Sequence, residues 1–155
     1  MNTPEDLKLA RGRAENLSRK IPIISIVAAQ SNTGKTTFIE KILQNLNFKI
    51  AVAKSTHHKI SEENFSKDSF RFKNSGAKKI YVGENIFDAV KNFSDVDLIL
   101  TESRTKYFFP AIFLYRDEII FDEKFVAAFS SEEIFNNPSD AIKIIKFLAG
   151  LNYAK

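Results

Sequence analysis

The sequence predicts an α/β domain of three layers built around a mainly parallel sheet. Three observations predict it. Short strand-like apolar runs alternate with amphipathic helical runs along most of the chain. The first of the strand-like runs, Ile21 to Ala29, is apolar on both faces, as a central parallel strand covered by helices must be. That run leads through Ser31-Asn32-Thr33-Gly34-Lys35-Thr36-Thr37 into an amphipathic pattern from Phe38 to Leu46, so the chain opens its sheet with a strand–loop–helix unit.

Taken in order, residues 3–20 read as a polar helix. Thr3 can cap it, Pro4 suits its first turn, and Glu5 and Asp6 favour its N-terminal dipole. Only a thin apolar stripe through Leu7, Leu9, Ala10, Ala14 and Leu17 is available, so a peripheral extension is expected. The domain proper then runs from 21 to 155. After the first strand comes a helix over 35–46 whose buried face is Phe38, Ile39, Ile42, Leu43 and Leu46. Phe48 to Ala53 is the second strand. Residues 54–79 are polar and carry both signs of charge, which is too little apolar material for a buried strand. Their later part, Lys67 to Asn74, reads as a helix stopped by Gly76. Ile80-Tyr81-Val82 is a third strand, and 84–93 a helix using Ile86, Phe87, Val90 and Phe93. Val96 to Leu100 is a buried strand ending in Thr101-Glu102-Ser103. Ala111 to Tyr115 and Phe125 to Phe129 are two further strands, with Ile119-Ile120-Phe121 a small hairpin element. Asn136-Asn137-Pro138 starts a closing helix over 138–149 through Ile142, Ile145, Phe147 and Leu148.

Composition narrows the function. The 155 residues suit a single core, and the absence of cysteine excludes a disulfide framework and a thiolate metal site. A net charge of +4, from 23 basic and 19 acidic residues, suits a phosphate-rich ligand or an acidic partner. The lysines are scattered and form no stripe, so nucleic acid is not an expected partner. No apolar run nears the roughly 20 residues that span a bilayer, and the charged start lacks a secretory hydrophobic region. A cytoplasmic protein is expected.

The loop at 31–37 carries the chemistry. In a phosphate-binding P-loop, G-x-x-x-x-G-K-[ST], consecutive main-chain N–H groups converge on phosphate oxygens, and the helix N-terminus adds positive partial charge. Ala29 stands where the first glycine usually stands, and Gly34-Lys35-Thr36-Thr37 supplies the rest. Asn32, Thr33, Gly34, Lys35, Thr36 and Thr37 form the cradle. The Lys35 ammonium reaches the β/γ-phosphates, and the Thr36 hydroxyl is a ligand for Mg²⁺. The expected architecture is therefore a three-layer P-loop NTPase-like domain. In such enzymes the metal-side carboxylate sits at the carboxyl end of a buried strand, a position Glu102 holds and Asp97, near the strand's start, does not. Lys35 and Glu102 are the candidate catalytic residues, and Thr36 and Glu102 the candidate metal-side pair. His57 and His58 follow the second strand. Being adjacent on an extended segment, they point to opposite sides and do not chelate one metal together. Lys67, Asp68 and Arg71 lie in the polar segment, with Asp68 and Arg71 spaced to pair on one helix face.

Several of these pieces, in this order, resemble the MobB family of molybdopterin-guanine dinucleotide biosynthesis adapter proteins. They are IISIVAAQSNTGKTTFIEKIL, AVAKSTHH, SKDSFRFKNSGAKKIYV, DLILTES and AIFLYR, which span residues 21–116. The chain departs from the family pattern at Ala29, at Thr56 before the two histidines, at Phe65-Ser66 before Lys-Asp-Ser, and at Ser103-Arg104 after the glutamate. The resemblance implies a dimeric GTP- and Mg²⁺-binding protein with weak GTP hydrolysis. Its partner would be a MobA-like molybdenum cofactor guanylyltransferase, which attaches GMP to molybdopterin. Carried over by position, His57, His58, Lys67, Asp68 and Arg71 join the nucleotide site, and Glu102 takes the acidic strand end. No N-K-x-D element is visible, so guanine preference is an implication of the resemblance alone. A small metabolite kinase and a non-hydrolysing scaffold on the same fold are the rival readings.

Overall fold

The computed structural model describes residues 21–30, 33–56, 62–117 and 125–150, with the backbone alone for 62–66. The elements are β1 (Ile23–Val27), α1 (Lys35–Asn45), β2 (Ile50–Ser55), α2 (Glu62–Ser75), β3 (Lys79–Gly83) and α3 (Ile86–Lys91). They continue with β4 (Leu98–Ser103), β5 (Ala111–Tyr115), β6 (Ala127–Ser130), α4 (Ser131–Asn136) and α5 (Ser139–Leu148). The six strands form one sheet in the order β3-β2-β4-β1-β5-β6, and every neighbouring pair is parallel. The predicted α/β architecture with its parallel sheet is thus the observed one.

Strand alternation divides the core in two, because successive side chains leave opposite faces of a strand. Ile24 and Ile26 of β1 join Leu98 and Leu100 of β4 on one face. There α1 lays down Phe38, Ile39, Ile42 and Leu43, α2 adds Phe72, and α4 and α5 add Ile134, Ala141, Ile142 and Ile145. Ile23, Ala51, Ala53 and Ile99 point the other way, against Ile86 and Val90 of α3 and against Phe108. Strands so covered are mostly apolar on both faces, which is why Ile23–Val27 and Leu98–Leu100 read as nearly continuous apolar runs.

One polar knot lies on the second face. The Ser25 and Thr101 hydroxyls are 2.6 Å apart, both residues fully buried, and the Ser25 oxygen also accepts the Phe108 N–H at 2.7 Å. It ties β1 to β4 and to the loop that follows β4. Ser25→Ala removes both partnerships at once inside the core. It is expected to lower unfolding free energy by about 1–3 kcal/mol, measured by urea denaturation.

The element boundaries correct several expectations. β2 is placed two residues later than Phe48–Ala53, since Lys54 and Ser55 pair with Val82 and Gly83 of β3. The polar segment therefore contributes the end of a strand. Its helix is longer than Lys67–Asn74 and closes as a Schellman motif. Gly76 takes φ 111°, its N–H donates to the Lys73 carbonyl, and the Ala77 N–H donates to the Phe72 carbonyl. β6 begins at Ala127 instead of Phe125. The helix α4 was not expected at all. It is one and a half turns long, too short for an amphipathic period, and is announced only by its cap, the Ser130 hydroxyl accepting the Glu133 N–H. Phe147 is 63% exposed instead of buried, because the α5 stripe advances through Ile142, Ile145 and Leu148 in steps of three and leaves 147 off it. Phe87 is also half out, with its ring against Phe108 at 4.8 Å. The proposed extension over 3–20 and the hairpin element at 119–121 lie outside the described residues.

Candidate functional site: a phosphate loop and its buried carboxylate

The site lies at the carboxyl ends of β1, β2 and β4, where open parallel sheets place their ligands. Gly34 ends the loop in the left-handed region, φ 87° and ψ 19°, and caps α1, its carbonyl accepting the Phe38 N–H at 2.8 Å. A side chain there would be strained, although nothing lies within 4 Å of where its Cβ would sit. That open space faces the first turn of α1, whose N–H groups lack partners within the helix and favour an anion. Ala29 takes no positive φ, so the missing first glycine stores no backbone strain at that position. The loop is held from beside it. Thr33 is buried, and its carbonyl accepts the Ser131 hydroxyl at 2.6 Å, a hydroxyl also 3.1 Å from the Tyr115 carbonyl. Ser131 thus fastens the loop to the end of β5 and the start of α4.

Behind the loop stands Glu102, 3% exposed. Sheet register puts it level with Ile26 of β1 on one side and Lys54 of β2 on the other. Its Oε1 accepts the Thr36 hydroxyl at 2.8 Å and lies 3.8 Å from the Lys54 ammonium. Lys54 also donates to Asp68 of α2 at 3.3 Å. The second Glu102 oxygen, Oε2, is buried and has no hydrogen-bond partner among the described residues. Burial pushes the Glu102 carboxyl above its usual range; Lys54, the Thr36 hydroxyl and Lys35 pull it back, and Asp68 pushes it further up. Lys35 is held below the usual lysine range, first by burial and then by the like charges of Arg104 and Lys54, against the attraction of Glu102. Burial disfavours the charged form of both groups, and a phosphate chain with a divalent metal would oppose it at each, an anion at Lys35 and a cation at Glu102.

Among the described residues no group of three or more His, Cys, Asp and Glu could enclose a metal. Mg²⁺ needs no such cage, since one or two carboxylates with substrate phosphates and water commonly suffice. A hydroxyl and a carboxylate, both hard oxygen donors, one with an orphaned buried atom, fit it.

Of the residues singled out in the sequence, the fold sets Thr36, Lys35 and Asp68 about Glu102, while Thr33, Gly34 and Thr37 face the start of the helix at 131–136. Asp68 and Arg71 do not pair with each other as their spacing suggested. Asp68 turns to Lys54, and Arg71 bonds Glu40 of α1, which also accepts from Ser75 at 3.5 Å. Lys67 is exposed on α2. Asn32, His57 and His58 lie outside the described residues. Lys54 was not among the expected site residues, although the rule that picked out Glu102 applies to it equally: a charge just past an apolar strand run.

The family model described as Molybdopterin guanine dinucleotide synthesis protein B, MobB, matches residues 23–134. The chain belongs to the MobB family. Membership places this MobB protein in molybdopterin guanine dinucleotide synthesis. A molybdopterin-guanine dinucleotide biosynthesis adapter protein of Haemophilus influenzae is 25% identical over 122 residues, covering 66% of this MobB chain and 68% of its own. The crystal structure of HypB from Helicobacter pylori in complex with nickel superposes with a TM-score of 0.63 at 14% identity, covering 97% of each chain. At that identity the likeness is one of fold, a P-loop NTPase-like α/β domain. No helix among the described residues is long and apolar enough to cross a membrane.

Proposed function

We infer that this MobB protein binds GTP with Mg²⁺ at the loop before α1 and hydrolyses it slowly. It acts in the cytoplasm as a dimeric accessory of a MobA-like guanylyltransferase. The observation that carries the nucleotide part is the Thr36–Glu102 hydrogen bond of 2.8 Å, with Glu102 Oε2 buried and unpartnered beside it among the described residues. A hydroxyl in the first turn of a P-loop helix and a carboxylate at the end of the adjacent strand stand at hydrogen-bond distance, and Lys35 is next in sequence.

In this reading Thr36 and Glu102 would hold Mg²⁺, which would supply positive charge to the phosphates as a Lewis acid. The amides at the start of α1 grip the phosphate oxygens. Lys35 neutralises the β/γ-phosphates as a point charge. Lys54 balances Glu102 before the nucleotide arrives, and Asp68 keeps that ammonium in place. Positioning and electrostatics of this kind carry most of phosphoryl transfer.

The test is calorimetric titration with GTP in Mg²⁺ and again in EDTA. Mg²⁺ is expected to tighten binding of the wild type by roughly tenfold or more and to do little for Thr36→Ala. Equal affinity in both buffers for both proteins would sink the metal assignment. Light scattering of the protein alone and with a MobA-like guanylyltransferase checks the dimer and the partnership.

A further inference from the structure

A cavity of about 310 Å³ opens beside the phosphate loop. Thr33, Gly34 and Thr37 line it on the loop side, and Glu132, Ile134 and Phe135 of α4 on the other. Its position relative to the metal side is informative. Thr36, Glu102 and Lys54 mark the end of the site over β4 and β2, to one side of β1 in the sheet. The cavity lies towards β5, β6 and α4, on the other side of β1. A nucleoside triphosphate whose terminal phosphates lie at Lys35 and Thr36 must send its nucleoside away from Glu102, and this is the space it meets.

The lining has the chemistry to hold and to read a base. Phe135 is 73% exposed, unusual for so large an apolar ring, and the Lys41 ammonium stands over it 5.9 Å from the centroid. Lys41 also donates to the Phe135 carbonyl at 3.4 Å, so the end of α4 is tethered to α1. An exposed, tethered aromatic face suits stacking by a purine. Ile134 is buried in the core cluster and fixes that helix on the sheet. Glu132, one turn before Phe135, offers two acceptor oxygens and no donor. Guanine presents two neighbouring donors, N1–H and the N2 amino group. Adenine presents an unprotonated N1 at the same edge, which a carboxylate repels.

We propose that this cavity is the nucleoside subsite, with the Glu132 carboxylate reading the guanine edge and Phe135 stacking the base. The inference rests on the P-loop reading above and supplies what the sequence lacked, a source of guanine preference without an N-K-x-D element. Ser131 couples the two halves, since its hydroxyl bonds the Thr33 carbonyl of the loop one residue before Glu132.

The experiment titrates wild type, Glu132→Gln, Phe135→Ala and Lys35→Ala with GTP, ATP, xanthosine triphosphate and inorganic tripolyphosphate, all with Mg²⁺. Both α4 positions are exposed, so the folds should hold, which far-ultraviolet circular dichroism checks. Wild type should prefer GTP to ATP by about tenfold or more. Glu132→Gln replaces one acceptor by a donor, so it should lose GTP affinity and gain affinity for xanthosine triphosphate by comparable factors, with tripolyphosphate unchanged. Phe135→Ala should weaken all three nucleotides alike and leave tripolyphosphate unchanged. If both α4 variants bind every nucleotide as the wild type does, while Lys35→Ala binds none, the base lies elsewhere and only the P-loop reading stands. A wild type that prefers ATP overturns the guanine assignment. A wild type that binds neither GTP nor tripolyphosphate overturns both.

Discussion

Lys35→Ala is expected to weaken GTP binding by roughly thirty- to a thousandfold, the loss of one or two charge-assisted hydrogen bonds to phosphate. The same substitution should leave the nucleotide-free protein at least as stable as the wild type. Lys35 is held below its usual 10.5 by burial first, then by Arg104 and Lys54, with Glu102 opposing. A base whose folded pKa is lowered binds fewer protons folded than unfolded in the window between the folded pKa and 10.5. Stability therefore rises with pH through that window, and below it the charged ammonium works against the fold. Removing it at neutral pH removes a strained charge along with the ligand contact. Activity and stability are opposed at this one atom, as they often are where a site awaits its substrate. Titration calorimetry and thermal melts on the same two proteins test both halves. A variant that binds GTP like the wild type would overturn the site, and one that melts well below it would overturn the electrostatic account.

Glu102→Gln should raise the stability of the nucleotide-free protein by about 0.5–2 kcal/mol at neutral pH while removing most of the Mg²⁺ dependence of GTP binding. The glutamine keeps an oxygen for the Thr36 hydroxyl and the shape of the side chain, and it cannot ionise. In the wild type the carboxyl is pushed above its usual 4.5, mainly by burial. The folded protein thus holds this proton more tightly than the unfolded chain does. The stability Glu102 contributes is fully present below about 4.5 and is lost as pH rises through the folded pKa. The difference between variant and wild type should therefore be small at the acid end, grow with rising pH, and then level off. Urea denaturation in EDTA at a series of pH values measures it. A difference independent of pH would mean that Glu102 sits in the fold without the burial cost argued here. Lys54 limits the gain, since the variant leaves its ammonium with Asp68 alone.

Much of this site was legible before folding because its key signals are local. Gly34-Lys35-Thr36 is contiguous, and the left-handed turn at Gly34 depends on the one residue type that adopts it without strain. Glu102 was legible because a parallel strand buried on both faces is a nearly unbroken apolar run, so the first acid at its end stands out. Its pairing with Thr36 was expected too, but its neighbour Lys54 was not. Lys54 reaches it only because β2 and β4 are neighbours in register, a relation between segments 48 residues apart that no local pattern carries. The exchange of partners by Asp68 and Arg71 has the same origin. Their spacing on one helix permits a pair, but charges at a packed interface choose the stronger neighbour, and α1 and β2 supplied Glu40 and Lys54. The cavity over α4 escaped notice because α4 is six residues long and its place beside the loop comes from the order of the strands.

The amino-acid sequence by itself determined that this chain is a parallel α/β domain with a Gly34-Lys35-Thr36 turn between its first strand and helix, and its motifs in order already resembled the family to which the chain belongs. Hydrophobic period and backbone conformational preference act over a few residues, so they are written in the chain. Only the tertiary structure decided which charges face Glu102, which carbonyl Ser131 holds, and where beside the loop a base could lie. Those depend on strand order and register, which are set when distant segments bury their apolar faces together.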